Sequence, residues 1–207
     1  MRSGGETSPA AGFRKEKKRT VWDEEWEQLN FLPNGDTARE AWARTWPSRK
    51  GPHWDAIGRL RFSGNNFEWL LLEAKANLQE LVSSCGAKSA SSRKLIREAM
   101  AATKKELGVH DRDWLDGHYQ YCNRLVALDV LNRNGSPARL AYVYCYGDVG
   151  DKRRTCPPSQ AKWDKALRDR DAHVGLPPGH CWENRIHHIF IDARLRPLNA
   201  AESPKRF

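Results

Sequence analysis

Three consecutive leucines run directly into two charges in the segment Phe67 to Ala76, FEWLLLEAKA. Successive side chains of a strand point to opposite faces, so Leu70-Leu71-Leu72 is apolar on both. That pattern predicts a central strand covered on both sides. Glu73 and Lys75 stand two apart and project from a single face of the same strand. A charge beside such a core is costly unless it is paired or holds a metal. A fold for this chain must supply an interior strand and partners for its charges.

The preceding segment, His53 to Phe62 (HWDAIGRLRF), reads as a second strand, and Ser63-Gly64-Asn65-Asn66 between the two is rich in turn residues. A hairpin follows. A symmetric four-residue loop pairs Asp55 with Ala74 and puts the Asp55 and Glu73 carboxylates on opposite faces. An odd loop, or a one-residue bulge at Gly58, sets Asp55 directly opposite Glu73 on one face. Two close carboxylates repel, and a divalent cation relieves the repulsion. An all-oxygen site with few protein ligands suits Mg²⁺ or Mn²⁺. Such an ion polarises a phosphoryl oxygen and helps deprotonate an attacking water, while Lys75 would orient that water or offset charge on the phosphorus. The other reading of these residues is an ion pair of Lys75 with Glu73 or Asp55 on a solvent-facing strip of an edge strand. Spacing alone leaves both open.

Around the hairpin the chain alternates. Two short helices are expected first, Trp22 to Phe31 and Asp36/Thr37 to Trp46, the second ending before Pro47. Thr37 and Glu40 have capping-box spacing. Trp22/Trp26 and Trp42/Trp46 are each spaced i,i+4, which places them on one helix face and predicts core packing. Helices follow near Ser92 to Leu107 and Asp116 to Asn132, then a buried strand Arg139 to Tyr146, a polar helix Gln160 to His173 and a last strand Ile186 to Ala193. The order predicts a single α/β domain with a mixed sheet over residues 21–207.

The chain has 207 residues, and 35 Lys+Arg against 26 Asp+Glu give a net charge of +9. That balance favours a phosphate-rich partner, nucleic acid above all. Residues 1–20 carry +4 of it and read as a disordered basic tail. No apolar stretch approaches the roughly 20 residues that span a bilayer, and the N-terminus has no secretory apolar core, so a cytoplasmic chain is expected. The five cysteines contain no C-x-x-C pair, which predicts reduced thiols. Cys156 and Cys181 with His180, His187 and His188 match no common zinc spacing.

Asp55 followed by Glu73-Ala74-Lys75 resembles the D…(D/E)-x-K signature of the PD-(D/E)XK nuclease superfamily. The wider phrases Trp54-Asp55-Ala56-Ile57-Gly58 and Trp69-Leu70-Leu71-Leu72-Glu73-Ala74-Lys75-Ala76 look like those of bacterial restriction-endonuclease-like proteins without assigned function. The resemblance spans residues 36–148 and departs from the signature where Trp54 stands in place of Pro. It implies a restriction-endonuclease-like mixed sheet flanked by helices. Asp55 and Glu73 would be metal-binding carboxylates, Lys75 the catalytic lysine and the main-chain carbonyl of Ala74 a further ligand of Mg²⁺ or Mn²⁺. It also implies a glutamate from the first core helix, for which Glu40 is the candidate, and a glutamine from the later helix, which Gln120 matches. Gln120 and Arg124 are i,i+4 and share a helix face; Arg124 and Arg59 are the candidate substrate contacts. The function implied is a metal-dependent phosphodiesterase acting on DNA. The other readings are an inactive nucleic-acid- or protein-binding member of the fold, which a metal titration would separate, and a hydrolase or sensor for a small phosphorylated ligand. A homodimer is open.

Overall fold

The leucine run lies in an interior strand, as its pattern predicts. In a computed structural model describing residues 26–48, 51–62, 66–148 and 156–194, β3 (Ala56–Arg61) and β4 (Phe67–Lys75) pair antiparallel. β5 (Ala138–Tyr146) lies parallel to β4, and β6 (Ile186–Asp192) parallel to β5. Helices α1 (Thr37–Thr45), α2 (Ala90–Leu107), α3 (Tyr119–Arg133) and α4 (Gln160–Val174) complete a mixed α/β domain with a four-stranded mixed sheet. Among the described residues no helix is long and apolar enough to cross a membrane. The segment 1–20 and Trp22 lie outside the described residues.

The helix expected from Trp22 to Phe31 is absent over its described part. Trp26–Glu27 form a short strand, β1, paired with β2 (His53–Trp54), and the chain then turns. Tertiary bonds override helix propensity here. Gln28 adopts φ 53°, its N–H donates to Pro52 O at 2.6 Å, and its carbonyl accepts the Trp54 indole N–H at 2.7 Å. Trp26 is exposed, whereas Trp42 and Trp46 are buried and stack at 4.9 Å, as their spacing predicts.

The start of α1 differs by one residue from the capping box. Asp36 is the N-cap, accepting from the N–H groups of Ala38 (2.8 Å) and Arg39 (3.3 Å). Glu40 is thereby the fourth helical residue, too far along to bond back to the cap.

The helix α3 is the centre of the domain, with 11 of its 15 residues buried. It packs on the sheet through Tyr121 against Tyr142 (5.3 Å) and on α1 and α2 from its other sides. The last helix, α4, meets the same face of the sheet through Trp163 against Tyr144 (4.9 Å). The strand order β3-β4-β5-β6 explains this. The crossovers from β4 to β5 and from β5 to β6 step in the same direction, and right-handed crossovers that do so leave their helices on one face. Trp69, Leu71, Leu140, Tyr142 and Tyr144 point into that face and are buried. The alternate residues Leu70, Leu72 and Val143 are only half-buried and do not join the core. The expected cover on both sides of the leucine run is therefore present on one side only.

Candidate active site

The hairpin ladder decides where the two carboxylates stand. Ala56 pairs with Leu72, Gly58 with Leu70 and Arg61 with Phe67, without interruption; the ladder ends at Ala56 and Leu72, and its register, continued by one step, runs toward Glu73 and not toward Ala74. No bulge occurs at Gly58. The odd loop arises because the ladder runs one pair further than the turn residues suggest: Phe62 N–H donates to Asn66 O at 3.0 Å, leaving only residues 63–65 between them. Asp55 occupies a bend between β2 and β3 and is exposed. Its N–H donates to Leu72 O at 3.1 Å, and its carboxylate accepts the Ala74 N–H at 2.6 Å. The Asp55 side chain thus takes over the ladder bond that a continuing strand would have made to Ala74.

Glu73 faces the helices and is 4% exposed. Its Oε1 accepts from the Lys75 ammonium at 2.6 Å. Its Oε2 accepts from Arg124 Nε at 2.9 Å and Nη2 at 2.6 Å. The Lys75–Glu73 pair of the alternative reading is present, but in the interior and not on an edge strip. Lys75 also lies 3.4 Å from Gln120 Oε1. The i,i+4 placement of Gln120 and Arg124 holds: both reach the same carboxylate–lysine pair from the first two turns of α3. Arg124 is fixed further by His53 O (2.9 Å), Gln120 O (3.0 Å) and Asn123 Oδ1 (3.2 Å).

Ser83 anchors the start of α3, its hydroxyl accepting the Gln120 N–H at 2.8 Å. His118, just before the helix, bonds through Nδ1 to Leu81 O at 2.8 Å. Burial lowers the His118 imidazole below its ordinary value, overriding the Leu81 carbonyl, so it is neutral at pH 7. Tyr119 is held protonated, since burial and then the neighbouring Cys85 raise its phenol well above the usual range.

Asp55, Glu73, Ala74, Lys75, Gln120 and Arg124 all line one cleft of about 590 Å³. Two other candidates do not. Glu40 is exposed on the outer surface of α1 and faces Arg44 at 3.9 Å. Arg59 lies over the rings of Phe67 (4.7 Å) and Trp69 (4.6 Å) on the far part of the hairpin. Neither lines the cleft.

The cleft also contains Glu80, which the motif reading missed. It accepts from Ala76 N–H at 3.1 Å and from the Asn77 amide. The signal was present: Asn77-x-x-Glu80 has the spacing of a helix-start box, and a 3₁₀ turn over Leu78–Leu81 follows β4. Among the described residues no three His, Cys, Asp or Glu side chains converge into a ligand shell. A cation here would rest on two carboxylates, a main-chain carbonyl and water. Compared with protein-family models, with curated proteins and with solved structures, the chain matches none.

Proposed function

We propose that this chain is a metal-dependent phosphodiesterase acting on DNA, a nuclease of the PD-(D/E)XK type on a restriction-endonuclease-like fold. The observation that carries this reading is one cleft lined by Asp55, Glu73, Ala74 and Lys75, with Gln120 Oε1 3.4 Å from the Lys75 ammonium. The donor set fits Mg²⁺ or Mn²⁺: it is all oxygen, and few protein ligands leave room for water and phosphate, as Mg²⁺ prefers. Asp55, Glu73 and the Ala74 carbonyl would hold the ion, which when bound would polarise a phosphoryl oxygen, so that the phosphorus is more electrophilic, and make a water more acidic. Lys75 orients the attacking water and offsets charge building on the phosphoryl group. Gln120 steadies the Lys75 ammonium. Arg124 is a positioning residue, holding the second oxygen of Glu73 in place. The net charge of +9 favours a phosphate backbone as partner.

One observation favours a second reading, a binding-only member of the same fold. Glu73 already accepts three hydrogen bonds from two cations, out of roughly four acceptor sites on a carboxylate. A site that had given up its metal would be neutralised in this way.

Calorimetric Mn²⁺ titration with plasmid and single-strand cleavage on the same samples separates the two. Asp55→Asn is the cleanest variant because Asp55 is exposed; Lys75→Ala and Glu73→Gln follow, with circular dichroism as the check on folding. The expected result is Mn²⁺ binding and cleavage in wild type, and cleavage reduced at least about 100-fold in Asp55→Asn with an unchanged melting temperature. Cleavage retained in Asp55→Asn ends the catalytic assignment. No Mn²⁺ binding to wild type transfers the conclusion to the binding-only reading.

A further inference from the structure

We propose, resting on the nuclease reading of the cleft, that a row of cations on α2 carries the phosphate backbone of the substrate away from it. The lysine and arginine side chains that line the cleft, Lys75 and Arg124, are both bonded to Glu73, while Asp55 and Glu80 add two more carboxylates to the lining. Charge that attracts a polyanion must therefore stand beside the cleft and not in it. Helix α2 begins at the rim. Gly86 and Ala87 line the cleft, Lys88 follows them in an exposed position, and Ser89 caps the helix by accepting the Ser92 N–H at 3.1 Å. Arg93, Arg97 and Lys104 then recur at spacings of four and seven residues, which keeps them on one side of the helix. At about 1.5 Å per residue the row is roughly 16 Å long. The acidic residues of α2 stand off it: Glu98 faces Lys94 at 3.9 Å and Glu106 faces Arg133 at 3.7 Å. Among the described residues Arg93 and Arg97 are exposed and form no ion pair.

Arg97 and Lys104 also line a groove of about 380 Å³, whose other wall is the segment 111–115 with Arg112. Lys104 Nζ donates to Arg112 O at 2.9 Å. Asp111 and Asp113 share this lining, and the Asp113 carboxylate accepts the Leu115 N–H at 2.8 Å. With Arg93 counted, four cations stand against these two carboxylates. The groove and the cleft share a wall. Leu115 lines the groove, and its carbonyl accepts at 2.7 Å the N–H of Cys85, which stands between Ser84 and Gly86 of the cleft lining. A chain leaving the cleft past Gly86 thus meets the positive row directly. Charge identifies that chain. A nucleic-acid strand carries one negative charge per about 3.4 Å, so the row faces about five phosphates, and arginine matches phosphate in a bidentate fork.

The test is fluorescence anisotropy of a labelled DNA strand of about 20 nucleotides, and of its duplex, with the full chain over a range of salt and no added metal. Wild type is compared with the row variant Lys88→Gln/Arg93→Gln/Arg97→Gln. The control, Lys162→Gln/Lys165→Gln/Arg168→Gln, removes the same charge from the exposed side of α4. Wild type and control should bind with equal salt dependence. In the row variant the slope of log K against log salt should shrink by about 2 on the single strand and about 3 on the duplex. Its binding at about 50 mM salt should weaken at least about 30-fold. Melting temperatures should agree, and Mn²⁺-dependent cleavage of bis-p-nitrophenyl phosphate, too small to reach the row, should match wild type. A row variant that binds like wild type overturns the proposal, as does a control that loses as much or a wild type that binds neither DNA. Preference for anionic phospholipid vesicles over DNA would give the row to a membrane surface and overturn it too. A wild type that binds without cutting, with binding lost in the row variant, upholds the row and refutes the nuclease reading.

Discussion

Replacing Arg124 with methionine tests the central claim about the site's architecture, that Glu73 is held by two buried cations. The guanidinium makes five hydrogen bonds, two of them to Glu73 Oε2, and both side chains are 6% exposed. Removing one member of a buried ion pair costs about 3–5 kcal/mol, because the charge left behind stays desolvated. Lys75 remains on Oε1 at 2.6 Å, which puts the expected loss toward the lower end, about 3–4 kcal/mol. For a domain of this size about 2–4 °C accompanies each kcal/mol, so the melting temperature should fall by roughly 6–16 °C. Urea unfolding followed by tryptophan fluorescence gives the same quantity independently. The pair Glu73→Gln and Arg124→Met completes a cycle in which the double variant should cost about 2 kcal/mol less than the sum of the singles. A loss below about 1 kcal/mol for Arg124→Met, or strict additivity, would refute the clamp.

Glu40→Gln and Arg59→Ala should each leave cleavage within about twofold of wild type, since neither side chain lines the cleft; a tenfold loss measured on plasmid DNA would restore them to the site. Arg59→Ala should instead cost about 0.5–1 kcal/mol of stability through its lost stacking on Phe67 and Trp69. Stability should also fall with acid as the pH drops below the ordinary imidazole value. Burial lowers both His118 and His180, so the unfolded chain takes up their protons first. Their contribution is complete above about pH 6.5 and is lost as the pH falls below it. Unfolding at pH 7.5 and 5.5 should show the loss, and His118→Gln should shrink it; equal pH dependence in that variant would remove His118 as a cause.

Local pattern carried much of this structure. The hairpin, the interior position of the leucine run and the helices α1 to α4 follow from periodicity, turn residues and caps, with boundaries within a few residues. The register could be framed from the sequence as a question of loop parity, but it was resolved by one extra main-chain bond, from Phe62 to Asn66. Contacts between distant segments were not legible. Arg124 and Glu73 are 51 residues apart, and nothing local says that the guanidinium turns inward. Trp26 failed as a helical residue because Gln28 is tied to Pro52, Trp42 and Trp54, three partners that the i,i+4 spacing cannot see. The capping role expected of Glu40 failed because the cap is Asp36, one residue before Thr37. The cover expected on both sides of the leucine run is present on one side only, because the helices of both crossovers lie on the same face of the sheet.

The bend at Asp55 has an evolutionary consequence. The two acidic residues of the motif, Asp55 and Glu73, are tied into the molecule very unequally. Glu73 is sealed between the central strand and the central helix, and its loss orphans two buried cations. Asp55 stands exposed outside any strand, held by the Ala74 N–H, and its replacement by a small polar residue disturbs little else. On the proposed nuclease reading, loss of activity has an easy door at Asp55 and a closed one at Glu73. A lineage that lost it would discard Asp55 early and retain Glu73, Lys75 and Arg124 as scaffold.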